Sequence, residues 1–180
     1  MKPLSKSAQK YQLKSASLAQ MTSPLSRLLF AIDPGTVHSG VIFLRGKELI
    51  KFGKVDNGAV LELIKNDTFD DISIEMIASY GMAVGQEVFE TCVWIGRFMQ
   101  AAHARPVPVP TRRITRREIK LHLCGTSQAK DSNVRKRLVD IFGGVDVAVG
   151  NKKDPGPLYG VHLDVWSALA VGMTSLGIDS

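Results

Sequence analysis

The 180-residue chain lacks any apolar stretch near the ~20 residues that a bilayer-spanning helix needs, and its N-terminus lacks the apolar core of a secretion signal. The expected compartment is therefore the cytoplasm, with an organelle matrix as the alternative if the leader is a transit peptide. Cysteine is scarce: Cys92 and Cys124 have no metal-ligand spacing and read as reduced, partly buried residues. Internal repeats are absent. Acids are missing from residues 1–27, which carry Lys2, Lys6, Lys10, Lys14 and Arg27 among serines and glutamines. That stretch has too few large apolar groups to pack and is expected to be a disordered basic tail ahead of a single domain at 28–180.

What is present is an ordinary globular composition, 44% hydrophobic and 22% charged, with its positive charge concentrated. Residues 97–137 hold eleven basic side chains, including Arg112, Arg113, Arg116, Arg117, Lys120, Lys130, Arg135 and Lys136, against two acids, Glu118 and Asp131. A charge run is usually a solvated face. Nine uncompensated positive charges repel one another unless an anion meets them, and nucleic-acid phosphate is the simplest partner.

From Leu28 strands and helices alternate, the pattern of an α/β domain. Strands are expected at 28–32, in "GVIFLRG" (40–46) and "LIKFGKV" (49–55) as hairpin arms, and in "DISIEM" (71–76). "RPVPVP" (105–110) reads as an edge strand because its prolines cannot donate to a ladder. Helices are expected at 56–66, at 85–104 with Val88, Cys92, Ile95, Met99 and Ala102 as its buried stripe, in "TRREIKLHL", in "DSNVRKRLVDIFGG" capped by Asp131, and over "VHLDVWSALAVGMTSL". Trp94 and Trp166 lie in apolar helices and are assigned to the core.

Three carboxylates stand where burial should discourage them: Asp33 ends the first strand, Glu75 the fourth, and Asp164 opens the last helix. A lone strand-end aspartate is more often a turn or cap residue. If the first and fourth strands are parallel neighbours, Asp33 and Glu75 lie side by side, and a helix crossing the sheet can bring Asp164 to them. Like charges that close do not all stay ionised without a cation. Hard oxygen ligands suit Mg²⁺, with Mn²⁺ able to substitute. An acidic metal site beside a basic surface points to phosphodiester hydrolysis.

"AIDPGTVHSGV" resembles the opening strand of the RuvC family of Holliday-junction resolvases, within the ribonuclease H-like fold, and "ISIEM" resembles that family's second acidic strand. "KLHLCGTSQAKDSNVRKRL" is similar to its DNA-contacting segment, and "DVWSALAVG" to its final helix. Some of the wording looks like the phage and prophage subset. The resemblance covers about residues 28 to 175 and implies a central mixed five-stranded sheet flanked by helices. It further implies Asp33, Glu75 and Asp164 as catalytic metal ligands, and Lys120 and Lys130 as phosphate contacts. One departure stands out: Ser167 occupies the place of the usual second acid of the final helix. Ser167 and His162 are thus accessory candidates. Tyr80, in "SYGM", matches the region that supplies a junction-opening aromatic, although a plain loop tyrosine looks the same in sequence.

A four-way junction is nicked on two opposed strands, which suits a two-fold homodimer, and Phe89, Val93 and Trp94 give the 85–104 helix more apolar surface than one buried stripe requires. The implied function is a metal-dependent structure-selective endonuclease acting on branched DNA. The alternatives are a general branched-DNA or RNA nuclease of the same fold and a non-catalytic nucleic-acid-binding module. An actin-like ATPase also opens with an Asp-x-Gly-Thr loop, but needs two such subdomains and more chain.

Overall fold

The computed structural model describes residues 26–79, 81 and 83–179. The expected basic tail therefore lies outside the described residues except for Ser26 and Arg27, and so does Tyr80. Arg27 is tied to the domain, its guanidinium 2.7 Å from the Asp71 carboxylate and donating to the Asp70 carbonyl at 3.0 Å.

Five strands form one mixed sheet: β1 (Leu28–Asp33), β2 (His38–Arg45), β3 (Glu48–Asp56), β4 (Asp71–Met76) and β5 (Thr111–Thr115), in the order β3-β2-β1-β4-β5. The hairpin β1–β2–β3 is antiparallel, while β4 and β5 run parallel to β1. Both central strands are buried on both faces, so β1 reads as an unbroken apolar run rather than an alternating one. Alternation persists in direction. Phe30 and Ile32 face one cluster with Val41, Phe43, Ile72 and Ile74, covered by α1 (Asn57–Asn66) and α2 (Gln86–His103). Leu29 and Ala31 face the other with Ile42, Leu44 and Ile114, covered by α3 (Arg116–Cys124), α4 (Asp131–Ile141) and α6 (Asp164–Leu176), beside the short α5 (Val145–Ala148). The result is the expected three-layer arrangement of a central mixed five-stranded sheet between helices.

Helix α6 lies unusually close to the sheet. Its buried face is built from Ala168, Val171, Gly172 and their neighbours, and a Cβ at Gly172 would stand 2.3 Å from Leu44 Cδ1 and 3.3 Å from Ala31 Cβ. Small residues on the helix and on β1 make that approach feasible, and they decide how near the helix N-terminus comes to the strand ends.

Several local expectations change. The edge strand is Thr111–Thr115, not 105–110: Pro106, Pro108 and Pro110 lack N–H groups, so pairing with β4 starts beyond them, after Ile72 N donates to the Pro110 carbonyl at 3.0 Å. The buried stripe of α2 is Thr91, Ile95, Phe98 and Ala102, rotated from the expected one because Phe98 fills the sheet face, with the Trp94 ring tilted against it at 5.8 Å. Thr91 is tolerated inside because its hydroxyl donates to the Glu87 carbonyl. Trp166 is buried as expected, whereas Trp94 is only half-buried. Asp131 does not cap α4; Lys130 holds the cap position and Asn133 Oδ1 accepts its N–H at 2.9 Å. The last helix begins at Asp164 rather than Val161, and Leu163 before it takes φ 42°, a region that leucine rarely adopts.

Candidate active site

Register lines up one row of residues across the sheet. Asp33 is level with Gly40 of β2, and Gly40 with Lys54 of β3. On the other side Ile32 pairs with Ile74, so Asp33 and Glu75 end neighbouring parallel strands at the same level. Alternation points Asp33, Gly40, Lys54 and Glu75 to the face that α6 covers. Gly40 is the gap in that row. A Cβ there would sit 2.3 Å from the Asp164 carbonyl oxygen, so only glycine lets the first turn of α6 descend between Lys54 and Asp33.

Asp33 is flanked by the other two carboxylates predicted from the sequence, although among the described residues the three do not close into one ligand cluster. Asp33 interacts with Glu75 on one side and shares a cleft of ≈ 270 Å³ with Asp164 on the other, together with Thr36, His38 and Lys54. Burial above all, then the charge of Glu75 and a hydrogen bond with it, push Asp33 from the usual 3.8 up to about 8. Glu75 is also raised, by burial, against the lowering influence of Arg116. Its Oε2 is buried and has no donor. Asp164 engages Lys54, whose Nζ lies 2.8 Å from Oδ2.

The loop after Asp33 is held from below. Asn57, buried at the start of α1, donates its side-chain amide to the Gly35 carbonyl at 2.9 Å and its backbone N–H to the Val37 carbonyl, and accepts from the Ser39 hydroxyl at 2.7 Å. Neither Asn57 nor Lys54 stands out in the sequence. One looks like a helix-start residue, the other like a solvated strand lysine, and only the fold of the hairpin brings them to the site.

Ser167 is half-buried, one turn after Asp164 on α6. His162 is exposed, with Nδ1 2.8 Å from the Gly160 carbonyl oxygen, and does not line the Asp33 cleft.

The basic run does not fold as one patch. Arg97 lies over the Trp94 ring at 4.0 Å, and Arg105 binds the Ile64 and Asp67 carbonyls and lies over Phe69, all on the α1/α2 side. Arg113 is exposed on β5 and alternates away from Ile114, toward that same side. Arg112 donates to the Ser175 carbonyl at 3.3 Å, at the end of the sheet opposite Asp33. Near the site, Arg116 bridges Asp131 at 2.9 Å and Glu75 at 3.8 Å, and Lys120 stands 3.7 Å from Asp131. Arg116, Arg117 and Lys120 line a groove with Ser127 and Gln128. Lys130 is exposed at the start of α4, Lys136 pairs with Asp140 at 2.7 Å, and Arg135 covers the Trp166 ring at 4.8 Å.

No family model matches the sequence, and no curated protein matches it. The fold, however, has solved counterparts. A structure of RuvC from Thermus thermophilus superposes with a TM-score of 0.61 at 19% identity, covering 83% of this chain and 93% of that one. Another, of T. thermophilus RuvC in complex with a Holliday junction substrate, gives 0.59 at 20% identity, covering 82% and 92%. The chain therefore has the ribonuclease H-like fold of RuvC, over nearly the whole length of that protein.

Proposed function

We propose that this protein is a divalent-metal-dependent endonuclease that resolves four-way DNA junctions by paired nicking. The observation that carries the reading is the buried Asp33–Glu75 carboxyl pair, on adjacent parallel strands of a RuvC fold, opening into a cleft with Asp164. Two carboxyls pressed together in a low-dielectric edge are unfavourable for folding alone. A divalent cation relieves the repulsion that a shared proton relieves in its absence.

The donor chemistry suits Mg²⁺ or Mn²⁺. Asp33 and Glu75 offer hard oxygens, one of them buried with no donor, and Asp164 lies across the same cleft from Asp33. Among the described residues no group of three His, Cys, Asp or Glu side chains is drawn together tightly enough to close on an ion, and Asp164 pairs with Lys54. Asp33, Glu75 and Asp164 are the residues that would hold the ion, with Ser167 within a turn of Asp164. A bound Mg²⁺ would polarise the scissile phosphate and activate water. The chain itself fixes the ligands on rigid elements, holds the loop after Asp33 through Asn57, and keeps Arg116 against Glu75.

For the DNA we assign Arg117, Lys120 and Lys130 to phosphates beside the cleft, with Arg116 shared between Glu75 and the backbone. Arg135 and Lys136 extend that face. Arg112 and Arg113 belong to other surfaces and take at most outlying strands. Phe89 and Val93, each 61% exposed on α2, form an apolar pair one turn apart that fits a two-fold partner, and a homodimer supplies two sites for two opposed strands.

The test is incubation with a labelled synthetic four-way junction and a matched linear duplex, with Mg²⁺, Mn²⁺ or chelator, beside Asp33→Asn. Paired symmetric nicks in the junction alone, lost with chelator and in Asp33→Asn while junction binding persists, are expected. Cleavage of flaps and forks as well would make the protein a general branch nuclease; cleavage of RNA would assign it to RNA processing. Binding without nicking, or full activity of Asp33→Asn, would overturn the catalytic assignment.

A further inference from the structure

We propose that Lys54 is a built-in cation of the candidate active site, occupying at Asp164 the charge role that a second divalent ion would otherwise take, so that each chain binds one divalent cation. This rests on the metal-nuclease reading above but concerns the number and affinity of ions rather than the reaction.

Three observations carry it. First, Lys54 is placed there by the sheet: Asp33, Gly40 and Lys54 are cross-strand partners in one row, on the face that α6 covers. Second, the glycine between them is occupied by backbone, since a Cβ at Gly40 would meet the Asp164 carbonyl at 2.3 Å. The first turn of α6 thereby delivers the Asp164 carboxylate to the ammonium, at 2.8 Å, and both line the cleft that contains Asp33. Third, one turn further along α6 the side chain is Ser167, which carries no charge.

Charge balance then limits what the cleft can hold. One divalent cation together with the Lys54 ammonium neutralises the three carboxylates Asp33, Glu75 and Asp164, the nearby Arg116 being balanced by Asp131 at 2.9 Å. A second divalent cation would leave the cleft with two uncompensated positive charges before a phosphate arrives, and would have to displace Lys54 from Asp164. Two-metal sites work by clamping the attacking and leaving oxygens from both sides. Here the ammonium, on the Asp164 side of the cleft, supplies fixed positive charge toward the phosphate without needing coordination geometry.

The same geometry makes Lys54 a competitor of the ion. A unit charge about 4 Å from a divalent ion in a well-solvated cleft changes affinity roughly thirtyfold. Removing the ammonium frees Asp164, so metal binding should tighten even though catalysis suffers.

The experiment is calorimetric titration of the full-length protein with Mn²⁺ in the absence of DNA, for the wild type, Lys54→Gln and Lys54→Arg, with single-turnover junction nicking run alongside. The wild type is expected to take one Mn²⁺ per chain. Lys54→Gln should bind Mn²⁺ roughly thirtyfold more tightly and nick more slowly, while Lys54→Arg, which keeps the charge, should bind Mn²⁺ like the wild type. Two equivalents per wild-type chain, no Mn²⁺ binding, or an unchanged or weakened affinity in Lys54→Gln would overturn the inference. Lys54 is 41% exposed, so its replacement leaves the core intact, and a thermal melt verifies this. A wild type that binds one Mn²⁺ but leaves junctions intact would refute the nuclease reading and not this one.

Discussion

Gly40→Ala is the smallest change that tests whether Asp164 belongs to the candidate site. The added Cβ would stand 2.3 Å from the Asp164 carbonyl oxygen, 2.5 Å from its carbon and 3.0 Å from Val165 N. All three are backbone atoms, so no side chain can rotate away. Ordinary contact between such atoms begins near ~3.5 Å, so the first turn of α6 must lift by about 1 Å or β2 must sink by as much. Overpacking of this kind costs about 1–3 kcal/mol, and in a domain of this size about 2–4 °C of melting temperature for each kcal/mol. The larger effect should fall on the reaction, because a misplacement of about 1 Å in a catalytic group costs on the order of 100-fold. The assay is single-turnover nicking of a four-way junction at saturating Mg²⁺, with a thermal melt of the same sample. Gly172→Ala is the control, since its Cβ would meet the flexible end of Leu44, on the same helix but away from the carboxylates. It should lower the melting temperature with a much smaller loss of rate. A Gly40→Ala protein that nicks at the wild-type rate would refute the placement of Asp164 in the reacting cleft.

Other consequences concern pH, assembly and DNA. Asp33 holds its proton to about 8 in the folded chain against 3.8 in the unfolded one, so the unfolded state loses that proton first and stability falls as pH rises through this window. In chelator the melting temperature should decline between about pH 4 and pH 8, and Asp33→Asn should flatten the decline; a wild-type melting temperature that rises across the window contradicts the buried pair. Phe89→Asp with Val93→Asp should give a folded monomer by light scattering that still melts cooperatively, because both side chains are exposed on the single chain; an unchanged dimer, or a wild type that is itself a monomer, rejects the α2 interface. Lys120→Ala should weaken junction binding and lower the salt dependence by about one phosphate contact, whereas Arg113→Ala, on the other side of the sheet, should change it little; equal losses would mean that the basic residues act as one diffuse surface.

The strand pattern and the two acids at strand ends were legible in the chain because each is a local signal, whereas the parallel pairing of β1 and β4 enters the sequence reading only as a condition. An apolar run stopping at Asp33 or Glu75 marks a buried strand whose end is polar, and that end is where an α/β sheet can afford a site. The α2 stripe was misjudged because its true buried set includes Thr91, whose hydroxyl is satisfied within its own helix. The edge strand starts at Thr111 rather than Arg105, since proline-rich extended chain resembles a strand in every respect except hydrogen bonding. The basic run looks like one patch because sequence distance hides direction: α2, the loop after it and β5 carry Arg97, Arg105 and Arg113 to one side of the sheet while α3 carries Arg116, Arg117 and Lys120 to the other.

By itself, then, the sequence determined the α/β alternation, the candidate carboxylates and the excess of positive charge, since periodicity, strand termini and composition are properties of neighbouring residues. Only the tertiary structure decided which charges meet. Lys54 reaches Asp164 through hairpin register and the empty position at Gly40, Arg116 is drawn between Glu75 and Asp131, and Asn57 locks the loop beyond Asp33. Those pairings join residues that are distant along the chain, and the forces that set them, close packing of α6 on the sheet and burial of like charges, exist only once the layers have closed.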